Sequence, residues 1–269
     1  MEDRLFSTGD FGGHVAVWDL EEMGEPVEEV VGHQDIINCI SGHCGEGGEL
    51  VTGSRDGLVR MWDRRNMKSS TVTMEGDERR DCWAVTTLEH GMFVAAGYSN
   101  GDIRLFDIKA GKVYWETSLP LGVTGLQFTG SKGTKLDRLV ASTLGGGMFV
   151  WDLQTMHKVQ GFTRTDLKLE KTTVWTGNPA PQDENLVLAT LGSGAVELVR
   201  FKEPGHRVMI GGDGGNVGTP GDLEKICSRQ VTDKPVTSSD WSKDKAGLVV
   251  TSSFDQKIRV LIVTGVKVD

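Results

Sequence analysis

A histidine at position 33, hydroxyls at 52 and 54, an aspartate at 56 and a tryptophan at 62 lie within one 32-residue stretch, GHQDIINCISGHCGEGGELVTGSRDGLVRMWD. His33, Asp56 and a Thr or Ser hydroxyl are the residue types of a nucleophilic triad, in which the carboxylate orients the imidazole and the imidazole takes the hydroxyl proton. The same types also suit a buried hydrogen-bond chain. An Asp in a tight turn holds the His ring in one tautomer, the ring reaches Thr52 or Ser54, and that hydroxyl meets the indole N–H of Trp62, which can only donate. Either hydroxyl, Thr52 or Ser54, suits the third place, and the tetrad is taken as His33, Ser54, Asp56 and Trp62.

Two other groupings carry possible chemistry. Cys39, His43 and Cys44, with His33 upstream, are soft ligands at a density that can bind zinc. Their Cys-x4-Cys spacing is not that of a zinc ribbon, and Cys39 falls inside a strand-like run, so no metal site is assigned. The stretch GGDGGNVGTPG (211–221) has the glycines of a phosphate cradle. It lacks the terminal Gly-Lys-Ser/Thr and the following helix that a P-loop requires. It reads as a surface loop within a flexible insertion over 203–225, and no cofactor is expected.

The elements that position His33 and its neighbours repeat. Trp18, Trp62, Phe106 and Trp151 stand 44, 44 and 45 residues apart, each followed by Asp. A glycine-rich turn precedes each: GDFGG (9–13), GSRDG (53–57), GYSNG (97–101) and STLGGG (142–147). Two weaker copies follow, LATLGSGAVELVRF (188–201) with Val199 in place of the Trp, and VTSSFDQKIRVLIV (250–263) with Leu261 there and the turn Asp255 retained. Each copy contains short strand-like runs with apolar alternation. A Gly-His to Trp-Asp unit of this period resembles a WD40 repeat, one blade of a β-propeller. The expected fold is therefore all-β, a WD40 propeller occupying 1–269 as one domain. The repeats also bear on the triad reading: Asn100, Gly145 and Ser193 stand where Asp56 stands, and an enzyme has no use for serially degraded copies of its site. No catalytic residue is assigned.

Read strand by strand, six repeats are present. The first lacks its innermost strand and the last its outermost. One strand cannot make up for the other, because a propeller closes when one terminus completes the blade of the other. The expectation is a seven-bladed ring of which this chain holds part, with one further blade before Met1.

Composition narrows the function classes. The chain has 269 residues, 36 Gly, 7 Pro and a net charge of −9. Many tight turns with little proline fit short antiparallel strands. An acidic chain without a basic stripe is a poor match for nucleic acid. No 18-residue apolar run and no leader pattern occur, so no membrane association is expected. Four cysteines at uneven spacing read as reduced thiols in an intracellular protein.

Function is then expected at the loops of one face, as in other rigid repeat scaffolds. Alignment on the Trp-Asp position places Phe11, Arg55 and Phe254 just before the turn Asp or its replacement. Aligned first strands place Trp83 and Trp175 at one equivalent site, with Arg80 and Asp81 just upstream of Trp83. Aromatics and arginine are typical interface anchors, so Phe11, Arg55, Arg80, Asp81, Trp83, Trp175 and Phe254 are the candidate partner-binding residues. Packing between neighbouring blades is the alternative role for the two tryptophans.

Longer stretches are more specific. TGDFGG (8–13), GHQDIIN (32–38), VTGSRDG (51–57), RRDCW (79–83), NGDIRLFDI (100–108), TTVW (172–175) and SSFDQKIRVLIVT (252–264), with a looser RLVASTLGG (138–146), are similar, in the same order, to the Monad-like family of WD-repeat axonemal dynein assembly factors. The departures are the start, where the family has about one more blade, the His43-Cys44 pair, and a shortened glycine-rich insertion. The resemblance implies a cytoplasmic, non-enzymatic adaptor for dynein preassembly. Its implied partners are a tetratricopeptide-repeat Hsp90 adaptor, RuvB-like ATPases and axonemal dynein heavy chains. A generic WD-repeat subunit of a ubiquitin ligase or signalling complex is the alternative.

Overall fold

The computed structural model describes residues 4–42, 49–64, 66–74, 80–88, 92–129, 136–169, 171–210 and 216–266. His43, Cys44 and the glycine-rich 211–215 lie outside them. The chain divides into two compact units, one over 1–123 with 132–135 and the other over 124–131 with 136–269.

The first unit holds three antiparallel sheets. β1 (Leu5–Gly9), β2 (His14–Asp19) and β3 (Glu28–Val31) form a three-stranded sheet in that order. β4 (Ile37–Gly42), β5 (Glu49–Ser54), β6 (Val59–Asp63) and β7 (Val72–Met74) form the second. β8 (Cys82–Thr87), β9 (Phe93–Tyr98), β10 (Asp102–Asp107) and β11 (Lys112–Ser118) form the third. Strand residues alternate between two buried faces, so each sheet contributes to two cores. From β5, Leu50 joins Val15, Val17, Ile37 and Trp62 against the first sheet, while Val51 joins Met61, Cys82, Val85 and Val94 against the third. Sheets stacked in this way are stabilised chiefly by their immediate neighbours.

The second unit repeats the plan. β12 (Val123–Thr129), β13 (Arg138–Thr143), β14 (Gly147–His157) and β15 (Gly161–Lys168) form one sheet. β16 (Val174–Ala180), β17 (Asp183–Leu191), β18 (Ala195–Lys202) and β21 (Asp222–Gln230) form the next, with the hairpin β19 (Val208–Ile210) and β20 (Asn216–Gly218) inserted before its last strand. β22 (Val236–Trp241), β23 (Leu248–Ser253) and β24 (Lys257–Ile262) form a three-stranded sheet.

The reading of 203–225 as a flexible insertion needs correction. Residues 222–225, assigned to the flexible insertion, belong to β21. The flanks of the insertion are also held in place. Arg207 Nη2 donates to Asp137 at 2.6 Å, its Nε to Asp152 at 2.5 Å and its Nη1 to Gln154 at 3.0 Å, which pins the hairpin to the β13–β14 sheet. Although burial works against the charge, these two carboxylates raise the Arg207 pKa. Charge arrangements of this kind, spread over separate strands, leave no periodic trace in a sequence.

The turn between second and third strands explains the recurrent glycine. Gly101 has φ +97°, and a Cβ there would stand 2.1 Å from the Leu119 carbonyl oxygen. That carbonyl belongs to the chain leaving the fourth strand, and Leu119 N–H donates to Gly101 O at 2.8 Å. Gly194 repeats the arrangement at φ +89°, with the Thr232 carbonyl 2.1 Å from its would-be Cβ. Only glycine combines a left-handed φ with this close backbone approach.

β24 has no strand beside its outer edge among the described residues, and Ile258, Val260 and Ile262 are 76, 67 and 76% exposed. An alternating apolar row on an open edge strand favours edge-to-edge association. Ile258→Lys with Ile262→Lys is expected to lower self-association in sedimentation velocity, while the unfolding midpoint stays put, because exposed substitutions change stability by only about ±0.5 kcal/mol. Association equal to the parent chain's would show that the row is not the contact.

Candidate functional site

The His33 cluster forms in the space between the first and second sheets. Trp62 Nε1 donates to Thr52 Oγ1 at 2.9 Å, Thr52 Oγ1 lies 2.7 Å from His33 Nε2, and His33 Nδ1 lies 3.1 Å from Asp56 Oδ2. An indole N–H cannot accept and a carboxylate cannot donate, so the chain has one direction. Thr52 donates to Nε2, and the Nδ1–H tautomer donates to Asp56. Asp56 is further fixed by the backbone N–H groups of Gln34 (3.0 Å) and Leu58 (2.9 Å). Gly32 precedes His33 because the Trp62 ring lies 2.9 Å from where its Cβ would be.

The hydroxyl in this chain is that of Thr52, which corrects the assignment to Ser54. β5 and β6 pair Leu50 with Trp62 and Thr52 with Arg60. Thr52 is therefore the diagonal neighbour of Trp62, within reach of its indole. Ser54 lies a further two residues along, about 7 Å at the strand rise of ~3.3 Å per residue. Ser54 instead donates to Asp35 O at 3.1 Å and accepts from Asp56 N–H at 3.1 Å, stiffening the turn.

Every polar atom in this cluster is engaged with another member, and His33 and Thr52 are buried. The nucleophile of a triad would have to meet solvent or substrate. Parts of the chain recur elsewhere without the whole. In the first sheet Trp18 Nε1 donates to Thr8 Oγ1 at 2.9 Å, and no histidine is bonded to Thr8 among the described residues. In the last sheet Thr232 takes the place of His33, donating to Asp255 at 3.0 Å, and Arg259 grips the same carboxylate. Arg259 and then Ser253 hold the Asp255 carboxyl far below its ordinary range.

Burial of His33 lowers its pKa below 6.5, aided by Arg60 and opposed by Asp56. Burial also acts on Asp56, in the opposite sense, but the N–H donors of Gln34 and Leu58 and the His33 ring outweigh it and keep its carboxyl below 3.8. An unfolded His33 therefore binds a proton that the folded one refuses. Its contribution to stability is whole above about pH 6.5 and drains away as the pH falls below that, by at most ~1.4 kcal/mol per pH unit. Asp56 adds a second loss below about pH 3.8. His33→Gln is expected to flatten the decline in unfolding midpoint between about pH 6.5 and 5. An unchanged slope would place the acid sensitivity elsewhere.

The candidate partner-binding residues divide between the two units. In the first, Phe11 projects from the β1–β2 turn at 84% exposure, and Arg55 from the β5–β6 turn faces Asp81 at 3.9 Å. Trp83 is half-buried against Gly122, whose Cβ would meet the ring at 2.6 Å. Arg80 pairs with Asp102. In the second unit, Trp175 and Phe254 meet with ring centroids 6.1 Å apart, and Phe254 is 64% exposed. The Trp175 indole N–H is buried without an acceptor in the structure. The structure thus brings Arg55 together with Asp81 and Trp175 with Phe254, while Trp83 serves packing as well as surface.

A cavity of about 500 Å³ lies in the second unit at the ends of β12, β16 and β22. Glu184, Asp240 and the hydroxyls of Thr129 and Ser239 line it, with neither histidine nor cysteine. Asn178 donates to Ser239 Oγ at 3.0 Å, and Thr129 donates to Glu184 O at 2.9 Å. The lining therefore contains hydroxyls without a neighbouring imidazole base. Among the described residues no three His, Cys, Asp or Glu side chains are grouped to hold a metal ion, and no helix is long and apolar enough to cross a membrane.

Residues 24–63, which carry the His33 cluster, match the family model described as WD domain, G-beta repeat. The chain is 40% identical to dynein axonemal assembly factor 10 of Homo sapiens over 276 residues, covering 98% of this chain and 77% of that protein. This chain belongs to the dynein axonemal assembly factor 10 family. The factor from Chlamydomonas reinhardtii is 35% identical over the same shares of the two chains. A chain in the "Crystal Structure of Mitotic Checkpoint Complex" superposes with a TM-score of 0.76 at 16% identity, covering 97% of this chain and 71% of that one, which speaks to the fold only. The six sheets are six blades of a WD40 β-propeller. In this chain, then, His33, Thr52, Asp56 and Trp62 of the second blade form a buried hydrogen-bond chain.

Proposed function

We propose that the chain is a non-enzymatic, cytoplasmic scaffold that binds proteins during the preassembly of axonemal dyneins. The observation that carries this reading is the 40% identity, over nearly the whole chain, to proteins named dynein axonemal assembly factor 10. The geometry agrees with it. The residues that resemble catalytic machinery are sealed in a hydrogen-bond chain, whereas the strand-connecting turns expose Phe11, Arg55 and Phe254. Exposed aromatics and arginine on rigid turns lose little conformational entropy when a partner covers them. The finer reading is an adaptor that brings dynein heavy chains to Hsp90-linked machinery containing a tetratricopeptide-repeat adaptor and RuvB-like ATPases.

The test is affinity capture from ciliated cells with the chain and with two variants, Phe11→Ala with Arg55→Glu, and Phe254→Ala. Circular dichroism verifies their folding. Recovery of dynein heavy chains and Hsp90 adaptors that falls at least about tenfold in a folded variant, the loss of roughly 1.4 kcal/mol, supports both role and surface. Undiminished recovery by both variants would remove these turns from the interface. Recovery of ubiquitin-ligase or signalling subunits in place of dynein chains would replace the assembly role with the generic scaffold role.

A further inference from the structure

Cys39 on β4 and Cys82 on β8 come from neighbouring blades of the first unit, 43 residues apart, and converge on one glycine. A Cβ on Gly53 would stand 2.7 Å from Cys39 Sγ and 2.5 Å from Cys82 Sγ. Both sulfurs therefore lie within about 5 Å of each other, and side-chain rotation has to bring them to the ~2.05 Å of a disulfide bond. Neither is bonded to another cysteine. The backbone around them is already tied. Asn38 Nδ2 donates to Cys82 O at 3.0 Å, and Cys39 Sγ is directed at Gly53 O and Cys82 O at 3.6 and 3.9 Å. Gly53 supplies the room, since any side chain there would separate the sulfurs.

We propose that Cys39 and Cys82 form a peroxide-responsive dithiol, whose oxidation to an intrachain disulfide staples the first strands of the second and third blades together. The two thiols are unequal. Cys39 is half-buried and reachable by a small oxidant, whereas Cys82 is fully buried, and burial, together with the nearby Cys39 sulfur, keeps it protonated. Cys39 sulfur attacks one oxygen of hydrogen peroxide. The O–O bond breaks, leaving Cys39 sulfenic acid, and the other oxygen departs as water with the thiol proton. Cys82 sulfur then attacks the Cys39 sulfur. The S–O bond breaks, and the leaving hydroxide takes the Cys82 proton as a second water. Two thiols are oxidised, one peroxide is reduced to two waters, and a dithiol reductant reverses the change. The staple closes directly beneath Asp81 and Trp83, so the oxidised state also fixes the base of the Arg55–Asp81 surface.

The test uses the whole chain carrying Cys44→Ser and Cys227→Ser, because Cys44 shares its tryptic peptide with Cys39. The protein is exposed to hydrogen peroxide, blocked with N-ethylmaleimide after denaturation, digested without reductant and weighed. The expected result is loss of both alkylatable thiols, a linked 5–55/81–104 peptide pair lighter by two hydrogens, and full return after dithiothreitol. Adding Cys39→Ser should leave Cys82 alkylatable. A rise in unfolding midpoint on oxidation should accompany the link. Cys39 found as sulfinic acid with Cys82 still alkylatable, or disulfide-linked dimers in place of the intrachain pair, would overturn the proposal.

Discussion

Lys225→Ala is expected to destabilise the second unit by about 3 kcal/mol, the lower end of the cost of stripping a buried charge of its partner. Glu197 lies on β18 in the core shared by the fourth and fifth blades, on the side of Ala195, Val199 and Phe201. Its side chain is fully buried. Oε1 accepts from Lys225 Nζ at 2.9 Å, and Oε2 has no hydrogen-bond partner in the structure. Lys225 reaches in from β21 with nearly half its side chain in solvent, so water relieves part of the loss, which is why the lower end applies. Chemical denaturation of the chain, Lys225→Ala, and Lys225→Ala with Glu197→Gln separates charge from packing. The second change removes the stranded charge and should return about half of the lost stability. A single variant within about 0.5 kcal/mol of the parent, the range of ordinary surface substitutions, would mean that Glu197 does not depend on this lysine.

Thr52→Val is expected to cost about 2–4 kcal/mol, and Ser54→Ala only about 1 kcal/mol. Valine keeps the shape of threonine but removes the hydroxyl that serves Trp62 Nε1 and His33 Nε2 together. A buried donor and a buried acceptor are then left unpaired, each at roughly 1–3 kcal/mol. Ser54→Ala removes one bond to the Asp35 carbonyl and one from the Asp56 N–H; Ser54 is itself buried, but its partners belong to Asp35, which is exposed, and Asp56, which is half-buried. Urea unfolding of both variants reads the difference. Equal costs, or a larger cost for Ser54→Ala, would reverse the assignment of the hydroxyl.

The period of 44–45 residues, the alternating strands and the turn glycines made the six blades of this chain legible, because each blade repeats one local solution and buries its faces on its neighbours. The types and order of His33, Asp56 and Trp62 were legible for the same reason. The choice between Thr52 and Ser54 was not. Both point to one face of β5, and only the pairing of Leu50 with Trp62 sets which hydroxyl lies diagonal to the indole. The candidate surface was readable as far as Phe11, Arg55 and Phe254, whose place just before a turn predicts exposure. Trp83 and Trp175 depended on how closely a neighbouring glycine or phenylalanine approaches.

Sequence by itself determined which residues build each blade and which turns connect them, since those interactions run between residues a few positions apart. Tertiary structure decided what meets across strands and blades: Glu197 with Lys225 within the fifth blade, and Arg207 with Asp137 and Asp152, and Cys39 with Cys82 around Gly53, between neighbouring blades. The physical reason is that a strand's pattern of apolar residues specifies that a face is buried, not which atom of the next strand or sheet it will touch. Charge pairing and sulfur proximity are settled at that second step, by register and by the space one glycine leaves open.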